Sequence, residues 1–316
     1  MKKWIQKAIV QKTISYLPFS HNINYIFQKY VTKGVNLGDE YFYDRLGHGK
    51  EHLDAFKKYS GKLIPASSLE LGSGWYPIVP ISFFLVGVPK IYSVDISFLT
   101  SKQRLQTTLQ RFVACHDAGK LKDYINFIPA NYAVITDLLS NYEQYTLEQV
   151  LAKLNITYLI EDARKLSLAD NSVELVNSNN TFEHIYPAIL IPILKDFKRV
   201  VKKEGGVMSH FIDMSDHFAH FDKSINIYNF LQYTDAEWAR IDNSIQPQSR
   251  LRVYEYKKIY ADLQIPITAE SNRPGNINEL KTIKLSPQYA GQALSENAIS
   301  HCHFISDMRN TIPASV

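Results

Sequence analysis

Ser68-Leu69-Glu70-Leu71-Gly72-Ser73-Gly74, followed by Ile91-Tyr92-Ser93-Val94-Asp95, is the part of the sequence that decides the fold. The apolar residues before the glycines predict the end of a first strand, and the two glycines predict a tight turn that lets the backbone approach a ligand. The second run predicts a second strand, and Asp95 at its end is placed for the hydroxyls of a ribose. Gly74 and Asp95 are 21 residues apart, about the spacing of a βαβ nucleotide unit. The sequence therefore predicts a nucleotide site at the mouth of a parallel sheet.

The residues around this turn favour a nucleoside without phosphates. Trp75-Tyr76-Pro77 puts bulk where a dinucleotide fingerprint has its third glycine, which disfavours a pyrophosphate on the helix N-terminus. Glu70 would repel a diphosphate, whereas its carboxylate is suited to accept hydrogen bonds from a cationic amino acid or a ribose.

The order of the motifs resembles that of class I S-adenosylmethionine-dependent methyltransferases, specifically a type 11-like methyltransferase domain. Residues 70–74 resemble the first motif, and Asp95 resembles the acid that holds the ribose. Asp162 and Ala163 resemble the third motif, which borders the adenine. Residues 179–185 resemble the segment after strand four, which reads roughly Leu-Glu-His-Ile in a large branch of the family.

This resemblance implies S-adenosyl-L-methionine as the cofactor. The residues that it implies around the cofactor are Glu70, Gly72, Ser73, Gly74, Asp95, Asp162, Ala163 and Asn179. It also implies an α/β fold with a Rossmann-like, doubly wound, seven-stranded sheet that is mostly parallel and has an antiparallel last strand. Strands six and seven are then expected at residues 265–271 and 301–306.

The domain organisation is expected to comprise an N-terminal helical extension, residues 1–60, and a cofactor-binding domain, residues 61–316. Residues 103–155 are expected to form an insertion in the crossover between strands two and three, placed to cover the cofactor. Residues 213–260 resemble a lid that carries acceptor specificity. Arg250 and Arg252 lie within that lid, and only one of the two is expected to face the pocket, since residues two apart point about 200° away from each other on a helix.

Acidic residues and histidines gather after the predicted fifth strand, at the edge where open α/β folds bind ligands. They are Asp213, Asp216, His217 and His220. If the acceptor is a hydroxyl, a histidine is the natural general base, with His217 as the first candidate and His184 as the second. Asp213 is the carboxylate expected beside them. The two histidines after strand five have a spacing that could converge on a metal ion, but no metal is expected because the segment is a loop and the family mostly functions without one.

Composition and charge restrict the class of protein. The chain has 316 residues, of which 45% are hydrophobic and 21% charged, so it can bury a large core. Cys115 and Cys302 have no paired motif, which argues against a disulfide framework or structural zinc and favours the cytoplasm. The longest apolar run, residues 78–88, is shorter than the roughly 18 residues of a membrane span.

The first 35 residues contain no acid and alternate lysines with apolar and aromatic residues. A helical cap packed on the sheet is the favoured interpretation, and a peripheral contact with an anionic membrane surface is the alternative. Nucleic-acid binding is not expected, because the sequence pI is only about 8.7 and there is no RNA-binding motif. Nothing in the sequence defines an oligomeric state.

The sequence thus predicts methyl transfer to a small-molecule or glycan acceptor, with oxygen as the favoured acceptor atom. Two alternatives remain at this stage. One is an NAD(P)-dependent oxidoreductase or epimerase on a Rossmann sheet, and the other is a non-catalytic cofactor-binding module.

Overall fold

The computed structural model of the chain describes residues 2–16, 37–72 and 74–310. Ser73, one of the expected cofactor residues, lies outside the described residues. The same holds for residues 17–35 of the basic N-terminal segment, for which both a helical cap and a membrane contact are considered above.

Seven strands form one sheet in the order β3-β2-β1-β4-β5-β7-β6. Their bounds are Ser68–Leu71 (β1), Ile91–Asp95 (β2), Ile156–Ile160 (β3), Leu175–Asn179 (β4), Val207–Asp213 (β5), Ala269–Arg273 (β6) and His301–Asp307 (β7). The first five strands are parallel, and β7 runs antiparallel to both β5 and β6. The predicted Rossmann-like sheet with an antiparallel last strand is confirmed.

Strand register brings the expected site residues to one edge. Leu71 pairs with Val94 on one side and with Ser178 on the other. The residues that follow these three positions, Gly72, Asp95 and Asn179, therefore lie next to each other at the carboxyl ends of β1, β2 and β4. All residues of β1 and β4 are buried, as expected for central strands of a parallel sheet covered on both faces.

Helices cover both faces of the sheet. Those in the first half are Lys3–Ser15 (α1), Asp39–Ser60 (α2), Ile78–Val86 (α3), Lys102–Asp117 (α4), Leu121–Tyr124 (α5), Pro129–Ser140 (α6) and Leu147–Lys153 (α7). Those in the second half are Pro187–Val200 (α8), Phe218–Phe221 (α9), Asp235–Ile241 (α10), Val253–Asp262 (α11), Ile277–Leu280 (α12), Pro287–Ala290 (α13) and Leu294–Ala298 (α14). Within the described parts of the chain, no helix combines the length and the apolar character that a membrane crossing requires.

The two N-terminal helices pack in different places. The apolar side of α2, with Leu46 and Phe56, is fully buried in the same core as α3, so this helix belongs to the sheet domain. In contrast, α1 packs on α9 and α10, where Trp4 lies against Phe218 with 5.7 Å between ring centroids. The Trp4 backbone amide also donates a hydrogen bond to the Asp222 carboxylate at 2.9 Å. The described parts of residues 1–60, residues 2–16 and 37–60, therefore pack in two different places.

The insertion at residues 103–155 forms α4 to α7 but does not cover the large cavity at the sheet edge. Only Arg104 of this insertion lines that cavity among the described residues. The apolar faces of α4 and α6, such as Phe112 and Leu138, are buried in the core formed with α2 and α3. The expectation that the insertion covers the cofactor is wrong, because amphipathic helices place their apolar faces on the nearest core.

The second insertion is narrower than expected, and its arginines are structural. Helix α11 lies on the sheet, with Tyr256 and Tyr260 fully buried, so residues 253–260 belong to the main core. Arg252 is fully buried and donates to the backbone carbonyls of Met214 (2.6 Å), Asn297 (2.7 Å) and Ile299. Arg250 donates to the carbonyls of Phe230 (2.9 Å) and Tyr233 (2.7 Å) and pairs with Asp235. Neither arginine lines the large cavity, but Arg250, unlike Arg252, lines a small cavity together with Asp213 and His217.

Candidate functional site

A cavity of about 730 Å³ opens at the carboxyl edge of β1, β2 and β4. Its size falls within the usual range for small-molecule and cofactor sites. The sequence-predicted residues that line it are Gly72, Gly74, Asp95, Asp162, Ala163, Asn179 and His184. The edge of the sheet therefore brings most of the predicted cofactor residues together with one of the predicted bases.

The glycine turn forms the floor of this cavity. Gly72 and Gly74 have φ angles of 75° and 62°, in the left-handed region that side chains disfavour. The Gly72 amide donates to the carbonyl of Val94 at 2.9 Å, which ties the turn to β2. A Cβ atom on Gly72 would lie 2.9 Å from the Thr181 side chain, so only glycine fits at this position of the turn.

Asp95 ends β2 and lines the cavity beside the turn. One of its carboxylate oxygens accepts a hydrogen bond from the Ser97 amide at 3.2 Å, which fixes the side chain at the strand end. Ile96 and Phe98 follow it with 77% and 41% of their surfaces exposed. An acidic acceptor next to exposed apolar side chains suits a ligand that carries both hydroxyls and a flat apolar ring.

Asp162 and Ala163 line the far side of the cavity, beyond the end of β3. The Asp162 carboxylate is half exposed and accepts from the backbone and side chain of Arg164, both at 2.9 Å. These hydrogen bonds from Arg164 lower the pKa of Asp162, so it is ionised at neutral pH. Ala163 is buried and leaves space beside it.

Asn179 and Glu70 form a linked pair on the other side of the turn. The Asn179 side-chain amide donates to a Glu70 carboxylate oxygen at 2.8 Å. Asn179 lines the cavity, whereas Glu70 is buried beneath the turn with only 4% of its surface exposed. Glu70 thus acts on the cavity through Asn179 and through its charge.

The chain after β4 makes a 3-10 turn, Phe182–His184. Glu183 is buried in it, and neither of its carboxylate oxygens accepts a hydrogen bond of normal geometry from the described residues. Burial, followed by the charge of Asp213, raises the pKa of Glu183 well above its usual value. The surroundings of Glu183 therefore favour its protonated form.

Three predicted residues form a layer that leads away from the cavity. His184 lines the cavity, and the His217 ring lies behind it with 4.8 Å between ring centroids. The Nε2 atom of His217 is 3.5 Å from the Asp213 carboxylate. Burial opposes ionisation of Asp213, but the hydrogen bond and charge of His217 lower its pKa below the usual range. His217, the first candidate for the general base, thus lies behind His184, the second candidate.

The tautomer of His184 follows from its contacts. Its Nδ1 atom is 2.7 Å from the carbonyl oxygen of Pro247, which can only accept, so Nδ1 carries the proton. The Nε2 atom is then an acceptor. Burial, followed by the charge of His217, lowers the pKa of His184 to about 4, so the ring is neutral at neutral pH.

The other members of the predicted acid–histidine group are placed differently. His220 lies at the edge of the group, 4.0 Å from the Asp213 carboxylate. Asp216 points into the protein, where it accepts from Asn229 (2.9 Å) and from the Phe218 amide (2.8 Å) and is fully buried. Asp216 therefore does not belong to this group, contrary to expectation, because its carboxylate oxygens already accept hydrogen bonds from Asn229 and the Phe218 amide.

Sequence reasoning missed His301, Tyr41 and Arg45. His301 pairs in register with Asp213, and their side chains are 3.5 Å apart. Tyr41 and Arg45 come from α2 and line the outer cavity, with the guanidinium 5.1 Å from the aromatic ring centroid. Strand pairing between distant segments would have indicated His301, whereas nothing local in the sequence indicated the other two.

Glu183, His184 and His217 each offer one ligand atom within 4.8 Å of the others, a group that could hold a metal ion. The chemistry of the group is less favourable than its geometry. Burial raises the pKa of Glu183 and so favours its protonated form, and His217 already faces Asp213. Metal binding would have to displace the Glu183 proton, which weakens the site.

The family model of the Methyltransf_11 methyltransferase domain matches residues 129–209. The match contains β3, β4 and the Phe182–His184 turn, and it ends within β5. The sheet around the matched segment is complete, with the antiparallel β7 between β5 and β6. Residues 129–209 are therefore similar to a methyltransferase domain, and the strand order of the sheet around them is consistent with a class I S-adenosylmethionine-dependent methyltransferase.

The match to a methyltransferase domain is consistent with S-adenosyl-L-methionine as the cofactor. The lining of the cavity fits this cationic ligand, because the carboxylates of Asp95 and Asp162 lie beside the glycine turn. The oxidoreductase alternative loses its basis, because dinucleotide-binding sheets have the order 3-2-1-4-5-6 without an inserted antiparallel strand.

Solved structures share this arrangement at low sequence identity. A protein assigned as a sarcosine dimethylglycine methyltransferase from Galdieria sulphuraria is 16% identical, with a TM-score of 0.43 and coverage of 82% of this chain and 84% of that chain. A geranyl diphosphate methyltransferase in complex with SAM is 10% identical, with a TM-score of 0.44 and coverage of 87% and 93%. The PH0226 protein from Pyrococcus horikoshii OT3 is 15% identical, with a TM-score of 0.44 and coverage of 89% and 97%. Among curated proteins, none matches this sequence.

Proposed function

We propose that this methyltransferase methylates a hydroxyl group of a small-molecule or glycan acceptor. The observation that carries the proposal is the composition of a single cavity. It brings the glycine turn and Asp95 together with the acceptor atom of His184. A candidate nucleoside site and a neutral histidine therefore share one cavity.

The strand order suggests how S-adenosyl-L-methionine would be held. Asp162 and Ala163 follow β3, Asp95 ends β2, and Asn179 ends β4, with the glycine turn of β1 between them. We assign the adenine to the β3 side and the ribose to Asp95. The amino-acid end then extends toward Asn179 and Glu70, whose carboxylate charge complements an ammonium group.

The acceptor would occupy the outer part of the cavity. Tyr41, Tyr186 and Ile189 are partly exposed there and offer an apolar wall, while Arg45 supplies a positive charge. Residues 244–247, from the second insertion, close the opposite side. This wall suits an amphipathic acceptor, and the insertion is the part of the fold that we assign to acceptor selection.

When bound, S-adenosyl-L-methionine supplies a methyl group made electrophilic by its sulfonium. The acceptor oxygen forms a bond to that carbon as the sulfur–carbon bond breaks, and the electron pair of the broken bond neutralises the sulfur. His184 Nε2 accepts the hydroxyl proton, and the ionised Asp213 favours the imidazolium that results. Because a pKa near 4 makes His184 a weak base, orientation and exclusion of water would supply most of the rate.

The test is calorimetric titration of the full chain with S-adenosylhomocysteine, with NADH titrated in parallel. We expect micromolar binding of S-adenosylhomocysteine alone, followed by methyl transfer from labelled S-adenosylmethionine to sugars or lipid-linked glycans that is unchanged by a chelator. Binding of NADH alone would overturn the cofactor, and transfer only to amines would overturn the acceptor atom. Loss of transfer in the chelator would overturn the metal-free reaction.

A further inference from the structure

A chain of buried polar side chains connects the cofactor end of the cavity to the protein surface. From the cavity outward, Asn179 Oδ1 lies 3.1 Å from His52 Nε2, and His52 Nδ1 lies 2.7 Å from Ser209 Oγ. The same hydroxyl lies 2.8 Å from His303 Nε2, and His303 Nδ1 lies 3.6 Å from the Glu51 carboxylate. We call the side chains of Glu51, His303, Ser209 and His52 the histidine relay.

Every interior member of the histidine relay is buried. His52 and Ser209 are fully buried, and His303 has 6% of its surface exposed, whereas the Glu51 side chain is 58% exposed. The members come from α2, β5 and β7, three elements distant in sequence. Phe211 packs against the relay, with its ring 3.7 Å from that of His303 between centroids.

The direction of each hydrogen bond follows from Asn179. Its amide nitrogen donates to Glu70, so its oxygen is the acceptor that faces the Nε2–H of His52, and His48 Nδ1 lies 3.1 Å from the same oxygen. Burial, followed by the charge of His303, lowers the pKa of His52 well below its usual value, so the ring is neutral and Nδ1 accepts from Ser209. Ser209 has then used its only hydrogen and accepts from His303 Nε2–H.

The hydrogen bonds therefore run in one direction from His303 to Glu70. His303 donates to Ser209, Ser209 to His52, and His52 to Asn179, and the last acceptor is the Glu70 carboxylate, which is buried under the glycine turn. A buried amide between two fixed partners cannot rotate without leaving polar groups unpaired, which costs free energy. The orientation of Asn179, which lines the cavity, is thus set by buried side chains on the face of the sheet that α2 covers.

We propose that His52, Ser209 and His303 are positioning residues for cofactor binding, acting through Asn179 on the amino-acid end of S-adenosyl-L-methionine. The proposal rests on the proposed function, which places that end of the cofactor at Asn179. The relay touches neither the Asp95 side of the cavity nor the residues after β3. Its effect is confined to the part of the ligand that an ammonium and a carboxylate would form.

Ser209→Ala interrupts the histidine relay at its middle, and Glu51→Ala removes its exposed end without any buried change. Ser178→Ala is the matched control, because the Ser178 hydroxyl and His210 Nδ1 form an equally buried pair at 2.8 Å on the neighbouring strand positions. Binding of two probes is measured by calorimetry for the full-length chain. One is S-adenosylhomocysteine, and the other is 5′-methylthioadenosine, which lacks the amino-acid part.

We expect Ser209→Ala to weaken S-adenosylhomocysteine binding by about two- to tenfold, the range of one net hydrogen bond, and Glu51→Ala to weaken it less. The affinity for 5′-methylthioadenosine should be unchanged in both, and Ser178→Ala should change neither. Equal weakening of both probes, or wild-type affinity for S-adenosylhomocysteine in both relay variants, would overturn the positioning role while leaving the cofactor assignment intact. If the wild-type chain bound neither probe, both the proposed function and the positioning role of the histidine relay would be contradicted.

Discussion

Gly72 and Thr181 are pressed together where the turn after β1 meets the chain after β4. A Cβ atom on Gly72 would lie 2.9 Å from both Oγ1 and Cγ2 of Thr181, closer than such atoms approach in proteins. The Thr181 hydroxyl also donates to the carbonyl of Leu71 at 3.3 Å. The two segments that border the cofactor cavity therefore support each other, and glycine is needed for both space and conformation.

Gly72→Val should abolish S-adenosylhomocysteine binding and lower the free energy of unfolding. The side chain would clash with Thr181, and its φ of 75° is strained for any residue with a Cβ. Calorimetry and urea unfolding measure the two effects. Gly74→Ala is the control, because the φ of Gly74 is also positive but a Cβ atom there would have no atom within 4 Å. Equal effects of the two variants would contradict the Thr181 contact as the cause.

Asp95→Ala should remove measurable donor binding, because the carboxylate is the acceptor that we assign to the ribose hydroxyls. Asp162→Ala should have a smaller effect, since that side chain is half exposed and already pairs with Arg164. Titration with S-adenosylhomocysteine compares the two. Near-wild-type affinity of Asp95→Ala for S-adenosylhomocysteine would contradict the assignment of the ribose to the end of β2.

His184→Ala and His217→Ala should leave donor binding intact and slow methyl transfer. We expect His184→Ala to reduce kcat by about 10- to 100-fold, because it removes the group that faces the acceptor. His217→Ala should have a smaller effect on kcat, since this ring acts through its neighbour and Asp213. Single-turnover rates with saturating donor make the comparison. A larger loss in His217→Ala would restore it as the base that the sequence favours.

Asp216 should make the protein less stable as pH rises. Burial raises its pKa to about 6, above the value of about 3.9 in an unfolded chain. The folded state therefore binds the proton more tightly, and the stabilisation is present in full below the unfolded pKa and lost as pH rises through 6. A shift of this size corresponds to about 2 to 3 kcal/mol.

Urea unfolding of the wild type and of Asp216→Asn at several pH values between the two pKa values isolates this effect. As pH rises, the unfolding free energy of the wild type should fall relative to that of Asp216→Asn. Parallel pH profiles for the two proteins would show that Asp216 does not titrate in this range. Burial also raises the pKa of Asp242 to about 6. Because Asp242 is present in both proteins, its contribution cancels in the comparison.

Arg252→Met should destabilise the fold by about 3 kcal/mol, because it leaves three buried carbonyls without a donor. Lys258→Met is the matched control on α11, since Lys258 pairs with Asp262 on the surface and such pairs contribute little. Urea unfolding measures both. A loss below about 1 kcal/mol in Arg252→Met would mean that water replaces the guanidinium.

The sequence predicted the cofactor side of the site better than the acceptor side. Gly72 and Asp95 end neighbouring parallel strands, so their proximity follows from local pattern and sheet rules. His301 joins Asp213 only through antiparallel pairing across a long excursion, which no local pattern encodes. The position of the first insertion was predicted wrongly because the amphipathic pattern of its helices does not indicate which part of the core they cover.

Trp4 and Asp222 join the helix at the start of the chain to the segment after β5, and Lys12 adds hydrogen bonds to the carbonyls of Ala239 (2.7 Å) and Asp242 (3.1 Å). None of these contacts involves the strands that carry the glycine turn or Asp95. Related enzymes could therefore diverge in acceptor choice by exchanging this first helix and its docking surface as a module, while inheriting the donor half of the site unaltered.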